Sequence, residues 1–320
     1  MKNKPQFLDV LSARDRITGS AIITPVLSDT ALDISGGNKI FLKCENFQRA
    51  GAFKIRGAWN AMAKISDMEK SRGVITYSSG NHGQAIALCG KMLGISTTVV
   101  MPKNAPINKR LATTNFGANI HSYDPNSEKR EDVTGELIAK YGFKLIPPFD
   151  HPDIIAGQGT CALELIDSVG HLDFLLIPCG GGGLLSGSAI SSHELLPTCK
   201  VIGVEPELAD DAARSFRSGI IETIHNPNTI ADGTRTESLG EIPFTLIQSF
   251  VSDIVTVSEE AIVDAVRYAF NKLKLVVEPS GALGLAALLS GTLPLSGRIG
   301  IIISGGNIDP QMLNDCINDN

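Results

Sequence analysis

Lys54 stands between an aromatic residue and a run of small ones, in Ala50-Gly51-Ala52-Phe53-Lys54-Ile55-Arg56-Gly57-Ala58, directly after the apolar stretch Ile40–Cys44. A lysine at the start of a helix usually only solvates it. One held among apolar neighbours loses its proton more readily and can serve as nucleophile or base. Two later stretches favour the second use. Gly180, Gly181, Gly182 and Gly183 follow the apolar run Phe174–Cys179 and precede Leu184-Leu185-Ser186-Gly187-Ser188. Four glycines between a strand and a helix let successive backbone N–H groups converge on one anion, and the helix N-terminus adds partial positive charge. No frame supplies the third glycine of G-x-G-x-x-G, and G-K-S/T is absent, so a single phosphate monoester fits better than a dinucleotide. Ser78-Ser79-Gly80-Asn81-His82 joins a predicted strand to a predicted helix. It either aims amides and hydroxyls at a ligand carboxylate or caps its own helix. Ser304, at the end of the strand-like Arg298–Ile303, is a neutral hydrogen-bonding group suited to a pyridine nitrogen if it faces one. A reactive amine, a carboxylate-sized turn and a phosphate cradle together describe a site for pyridoxal phosphate.

The elements that must position these residues alternate between strand and helix periodicity. A surface helix is expected at Phe7–Ile17, then an extended piece at Thr24-Pro25-Val26. Strand Ile40–Cys44 feeds helix Lys54–Ile65, and strand Gly73–Tyr77 feeds helix Asn81–Leu93. Thr97–Met101, Asn119–Tyr123 and Lys144–Ile146 read as strands, with helices over Ile107–Phe116 and Ser127–Tyr141 between them. Beyond Pro147-Pro148 the order repeats: helix Ile154–Val169, strand Phe174–Pro178, helix Leu184–Leu195, strand Lys200–Val204, helix Asp210–Ser218. A less regular stretch, Ile220–Pro243, precedes strand Asp253–Val257, helices Glu259–Leu275 and Ala282–Leu289, strand Arg298–Ile303 and a closing helix from Pro310. Regular alternation predicts an α/β fold of two domains, with mainly parallel twisted sheets flanked by helices. The expected division is a large domain, 1–72 and 151–320, with a small domain, 73–150, inserted in it.

The bulk properties exclude several classes. Of 320 residues 43% are hydrophobic and 19% charged, as in an ordinary globular chain rather than a disordered one. A net charge of −6 leaves no basic excess for nucleic acid. The uncharged stretches Phe174–Ser192 and Pro279–Gly297 are broken by glycine and proline, so no membrane partner is expected. Six scattered cysteines without a C-x-x-C pair, and a start without an apolar leader, predict reduced thiols and a cytoplasmic location.

Glu45-Asn46-Phe47-Gln48-Arg49 running into the Lys54 segment resembles the cofactor-attachment motif of the pyridoxal-phosphate-dependent serine/threonine dehydratase family. The Ser-Ser-Gly-Asn-His turn, the tetraglycine loop, Ala231-Asp232-Gly233, Glu278-Pro279-Ser280-Gly281 and Ser304-Gly305-Gly306-Asn307 match in order over nearly the whole chain. The resemblance implies the tryptophan-synthase-β-like fold, fold type II, and a homodimer. It implies that Lys54 binds the cofactor as a Schiff base, Phe53 packs on its ring and Asn81 bonds its phenolic oxygen. Gly180 to Gly183 with Leu184 would hold the phosphate, Gly233 would face the cofactor, and Ser304 would face the pyridine nitrogen. A small amino acid would sit against Ser78, Ser79, Gly80, Asn81 and His82, with His82 orienting the turn.

Three details bear on the branch of the family. Ser79 stands where dedicated threonine dehydratases typically carry alanine and serine racemases carry serine; it is either a second acid/base opposite Lys54 or a satisfied turn residue. Glu205, Ala209 and Asp211 match the divalent-cation ligands of serine racemase-like members, which implies Mg²⁺ (or Ca²⁺ or Mn²⁺); the alternative is an acid-rich helix start. Arg235, just past Gly233, and Arg130 can each pair with a distal carboxylate, or can be surface or interdomain residues. The length predicts no C-terminal regulatory domain and no feedback by isoleucine. The leading expectation is an ammonia-lyase converting serine, threonine or 3-hydroxyaspartate to 2-keto acid and ammonia; the alternative is a serine or aspartate racemase using Lys54 and Ser79. Cysteine-synthase-type replacement and a non-enzymatic cofactor binder are less favoured by the motif set.

Overall fold

The computed structural model describes residues 4–28, 37–105 and 107–318. Helix α1 (Phe7–Ile17) leads to β1 (Val26–Leu27) and β2 (Lys39–Cys44), followed by α2 (Lys54–Met62) and α3 (Asp67–Arg72). Next come β3 (Val74–Tyr77), α4 (Asn81–Leu93), β4 (Thr97–Pro102), α5 (Ile107–Asn115), β5 (Asn119–Tyr123), α6 (Arg130–Tyr141) and β6 (Lys144–Leu145). Then follow α7 (Pro152–Val169), β7 (Phe174–Pro178), α8 (Gly183–Leu195), β8 (Lys200–Pro206) and α9 (Asp211–Ser218). The chain closes through α10 (Glu241–Phe250), β9 (Asp253–Val257), α11 (Glu259–Tyr268), α12 (Leu283–Leu289), β10 (Arg298–Ile303) and α13 (Pro310–Ile317).

The strands form two sheets, in the orders β1-β2-β10-β7-β8-β9 and β5-β4-β3-β6. Every pairing between these strands is parallel except β1 with β2. This is the α/β class that the alternation predicts. Within the larger sheet, side chains divide strictly between faces: Ile299, Ile301 and Ile303 of β10 join the core under α11 and α12, while Ile302 joins the core under α7 and α8. Register then does the work that matters for function. Cys44 pairs with Ile303, and Ile301 pairs with Leu176, so β2, β10 and β7 end side by side. Ligands of open parallel sheets sit at such carboxyl ends.

Helix α2 packs against both α7 and α4, and so ties the first sheet to the second. Its Ile55, Ala58 and Met62 share one core with Val74, Ala85 and Ile86. Gly57 and Gly157 let α2 and α7 approach closely, since a Cβ on Gly157 would lie 2.6 Å from the Arg56 carbonyl oxygen.

Three elements differ from expectation. Helix α10 begins inside the stretch read as irregular; its Pro243 occupies the first turn, where a missing N–H costs no hydrogen bond, and its Ile242, Leu246 and Ile247 are buried. Helix α3 went unpredicted, although Ser66 and Glu69 form a reciprocal capping box. Helix α11 stops at Tyr268, after which a wider turn, Ala269–Leu273, ends at Lys274 in the left-handed conformation, φ 59°. No helix among the described residues is long and apolar enough to cross a membrane.

Candidate active site

Two short turns carry the chain from β2 to Lys54. Ala50 (φ 57°) and Gly51 (φ 70°) both take the left-handed conformation there, which is costly for alanine and so must be enforced by neighbours. The segment after β10 enforces it. Asn307 donates to the Ala50 carbonyl at 2.7 Å, Gly306 N–H to that of Gly51 at 2.9 Å, and Phe53 N–H to that of Ser304 at 3.0 Å. One turn into α2, Arg56 is fully buried; its Nε and Nη2 reach both oxygens of Glu45 at 2.8 Å, and its Nη1 reaches Glu164 at 2.6 Å. The start of α2 is therefore fixed from both sides.

Lys54 Nζ donates to the Pro148 carbonyl at 3.0 Å. The residue is half-buried and lines a cavity. Burial pushes its pKa down to about 8, against the opposing pull of the Glu278 charge. An amine in that range is available in neutral form near physiological pH.

The cavity, about 310 Å³, is where the separate motifs meet. Phe53 and Lys54 line it on the α2 side, and Ser304 at the end of β10 is buried beside them. Gly180 to Gly183 and Leu184 line it at the start of α8. The loop admits no side chains: a Cβ on Gly181 would enter the Phe149 ring, one on Gly180 would lie 3.0 Å from Thr234 Cα, and Gly182 has φ +86°. Gly233 lies on the same wall, its N–H bound to Ser280 Oγ at 2.8 Å.

From the second sheet, the turn between β3 and α4 contributes Ser78, Ser79, Gly80, Asn81 and His82. Ser78 Oγ accepts from Gly80 N–H at 3.2 Å and shapes the turn. His82 Nε2 meets the Ile146 carbonyl at 3.1 Å, and since a carbonyl only accepts, Nε2 carries the proton. Burial and the nearby Lys54 charge push the His82 pKa down to about 3, so the ring is a neutral strut and not a base. Its buried Nδ1 has no hydrogen-bond partner among the described residues.

Both candidate arginines line the cavity, but each is already engaged. Arg235 Nε and Nη2 donate to the Thr229 carbonyl at 2.7 and 2.5 Å. Arg130 Nε donates to Glu131 at 2.7 Å, and its guanidinium lies 5.2 Å from the Tyr77 ring centre. Glu205, Ala209 and Asp211 are not on this cavity's wall; they lie at the end of β8 and the start of α9. Glu205 accepts from the Ala212 and Ala213 N–H groups at 3.3 and 2.5 Å. Burial pushes its pKa up to about 9 and that of Asp211 up to about 7. No group of three or more His, Cys, Asp or Glu converges among the described residues.

Sequence reasoning missed Glu278, Lys109 and Asn307. Glu278 is buried on the cavity wall and accepts from Asn81 Nδ2 at 2.6 Å, while Asn307 Nδ2 donates to Asn81 Oδ1 at 2.9 Å. Both polar ends of Asn81 are thereby fixed. Burial pushes the Glu278 pKa up to about 7, against the Asn81 hydrogen bond and the Lys109 charge. Lys109, in α5, lines the cavity and pairs with Asp232. Glu278 and Asn307 lay within quoted motifs, but their partners are remote in sequence, and Lys109 reads as an ordinary surface residue of a polar helix.

An amine of lowered pKa, a side-chain-free amide cradle and a buried hydroxyl around one cavity fit a ligand with an aldehyde, a phosphate and a pyridine ring. Comparison with known proteins agrees. The family described as "Pyridoxal-phosphate dependent enzyme" matches residues 17–305. The chain is 51% identical over 306 residues to the L-threo-3-hydroxyaspartate ammonia-lyase of Saccharomyces cerevisiae, covering 95% of this chain and 94% of that one. It is 47% identical over 306 residues to the serine racemase of Schizosaccharomyces pombe, covering 95% of each. The structure of maize serine racemase superposes with a TM-score of 0.94 at 41% identity, over 97% of this chain and 96% of the other. On these grounds the chain belongs to the pyridoxal-phosphate dependent enzyme family.

Proposed function

We propose that the protein is an ammonia-lyase that converts small 3-hydroxy amino acids, among them serine, threonine and 3-hydroxyaspartate, to a 2-keto acid and ammonia. One observation carries this reading: the Lys54 amine, with its lowered pKa, opens on the cavity that the Ser78–His82 turn and the glycine loop share. The 51% identical ammonia-lyase supports it. Lys54 would carry the cofactor, the N–H groups of Gly180 to Gly183 with Leu184 would hold its phosphate, and Ser304 Oγ would face its ring nitrogen. When bound, pyridoxal phosphate supplies an electron sink for the substrate's α-carbon. Lys54 Nζ would serve as the base that takes the α-proton. The amides of the Ser78–Asn81 turn orient the α-carboxylate, and the neutral His82 holds that turn rigid. Loss of the 3-hydroxyl as water then gives, after hydrolysis, the keto acid and ammonia. Incubating the holoenzyme with L-serine, L-threonine and L-threo-3-hydroxyaspartate should yield keto acid from at least one; accumulation of the enantiomer alone would end the lyase reading.

A racemase on the same scaffold is the second reading, supported by the 47% identical serine racemase and by the Ser79 hydroxyl on the cavity wall. Two acid/base groups are needed to exchange a proton on two faces of one carbon. Ser79→Ala is expected to lower racemisation by about 10²-fold or more while elimination of an L-substrate largely survives. Equal loss of both, measured by chiral chromatography and keto-acid release, would remove Ser79 from the role of second base.

Glu205, the Ala209 carbonyl and Asp211 are proposed to hold Mg²⁺, with Ca²⁺ or Mn²⁺ as substitutes. Both carboxyls are buried, Glu205 feels the Asp211 charge, and Asp211 Oδ2 has no hydrogen-bond partner among the described residues. A divalent cation would neutralise both and complete that oxygen's coordination. Mg²⁺ at a hundredfold excess over its Kd would add about 2.7 kcal/mol of stability. Thermal unfolding with EDTA and then with MgCl₂ checks this; an unchanged Tm would reject the site.

A further inference from the structure

Of the cations on the cavity wall, Lys109 and Arg130 are each held by a carboxylate that a ligand can replace. Arg235 has two nitrogens on a main-chain carbonyl, and Arg130, besides pairing with Glu131, is held by its stack on Tyr77. The Lys109 ammonium instead pairs with the Asp232 carboxylate; its side chain is 21% exposed and that of Asp232 is 36% exposed. Asp232 is the more exposed partner, so it is the one better able to give up the pair to water. The exchange of one carboxylate for another at Lys109 conserves charge. Asp232 sits in the short turn that also carries Gly233 and ends at Arg235, and the Lys109 ammonium feels the Glu278 charge first and the Arg235 charge next. A second carboxylate on the substrate that reached Lys109 would also feel the Arg235 charge.

Resting on the lyase reading, we propose that Lys109 is the specificity-determining residue of this site. Its ammonium exchanges Asp232 for the distal carboxylate of an acidic 3-hydroxy amino acid, with Arg235 as the neighbouring charge. Serine and threonine bring no such group and leave the Lys109–Asp232 pair closed.

The test compares holoenzyme and variants by the ratio of kcat/KM for L-threo-3-hydroxyaspartate to that for L-serine. Calorimetric binding of succinate, with butyrate as the monocarboxylate control, gives a second measure that needs no turnover. In Lys109→Met both the ratio and the succinate affinity are expected to fall at least about tenfold, as when one partner of a desolvated charge pair is removed. Lys109→Arg should keep most of both. The double variant Lys109→Met/Asp232→Asn should stay low, because the ammonium and not the freed aspartate is what matters. A Lys109→Met ratio and succinate affinity within twofold of wild type would overturn the proposal. Recovery of both in the double variant would do so too, since the loss would then be repulsion by Asp232. If wild type turns over none of 3-hydroxyaspartate, serine and threonine the lyase reading fails, and succinate binding still decides the subsite.

Discussion

Lys54→Ala is expected to lose turnover by at least about 10⁴-fold, the upper range for removing a positioned acid/base group, and to lose the covalent hold on the cofactor. Borohydride reduction of wild-type holoenzyme should fix the cofactor on Lys54, with no equivalent label in the variant. The fold should not suffer. Folding lowers the Lys54 pKa from 10.5 to about 8, so between these values the unfolded chain binds more protons than the folded one. The penalty of enclosing the charged amine is fully present below about pH 8 and is relieved as pH rises towards 10.5. The variant has no such penalty, so at pH 7 its apoprotein should melt no lower than that of wild type. Cofactor capture by wild-type apoprotein should rise with pH and level off above about 8, because only the neutral amine attacks an aldehyde. Retained turnover in Lys54→Ala, or a reduced adduct on another residue, would end the assignment of this amine.

The difference between what the sequence discloses and what it conceals follows from chain distance. The tetraglycine loop and the Ser78–His82 turn are legible because an amide cradle must be built from consecutive residues at a strand-to-helix junction. Lys54 is legible by its small and aromatic neighbours. Glu278 meets Asn81 across 197 positions, and Lys109 meets Asp232 across 123. No local pattern encodes such encounters; they follow from α5 and the Asp232 turn lining one cavity. The arginines stay ambiguous in sequence for a related reason. A guanidinium is a generic fork, and only the fold reveals that the Arg235 fork closes on Thr229. Likewise Pro243 reads as a breaker until its place in the first turn of α10 is known. The positions proposed for a metal, Glu205, Ala209 and Asp211, are close in sequence, yet they lie apart from the cavity, so no chemistry at Lys54 could be inferred from them.

Arg56→Met should be the most damaging substitution for stability, at about 3–5 kcal/mol, the cost of removing one partner from a buried ion pair. Arg56 and Glu45 are both fully buried, and Glu164 completes the set with Lys43 at 2.6 Å. Burial alone would raise the Glu45 pKa, but the Arg56 and Lys43 charges more than reverse it and hold the carboxyl below its ordinary 4.5. Glu45 therefore contributes stability above about pH 4.5 that is lost as pH falls through its lowered folded pKa. Without Arg56 burial prevails, and Glu45 must either remain charged at high cost or take up a proton. The deficit of the variant should thus be largest near pH 7 and narrow towards pH 5, as urea unfolding at the two values would show. Arg56→Met/Glu45→Gln should recover part of it, because no unpaired charge then remains on that side. The functional consequence lies two residues away. Arg56 fixes the first turn of α2 against Glu45 and α7, so the variant should bind cofactor less tightly even where it stays folded. A deficit under about 1 kcal/mol at pH 7 would show that water enters the cluster and that these charges are not enclosed as the structure has them.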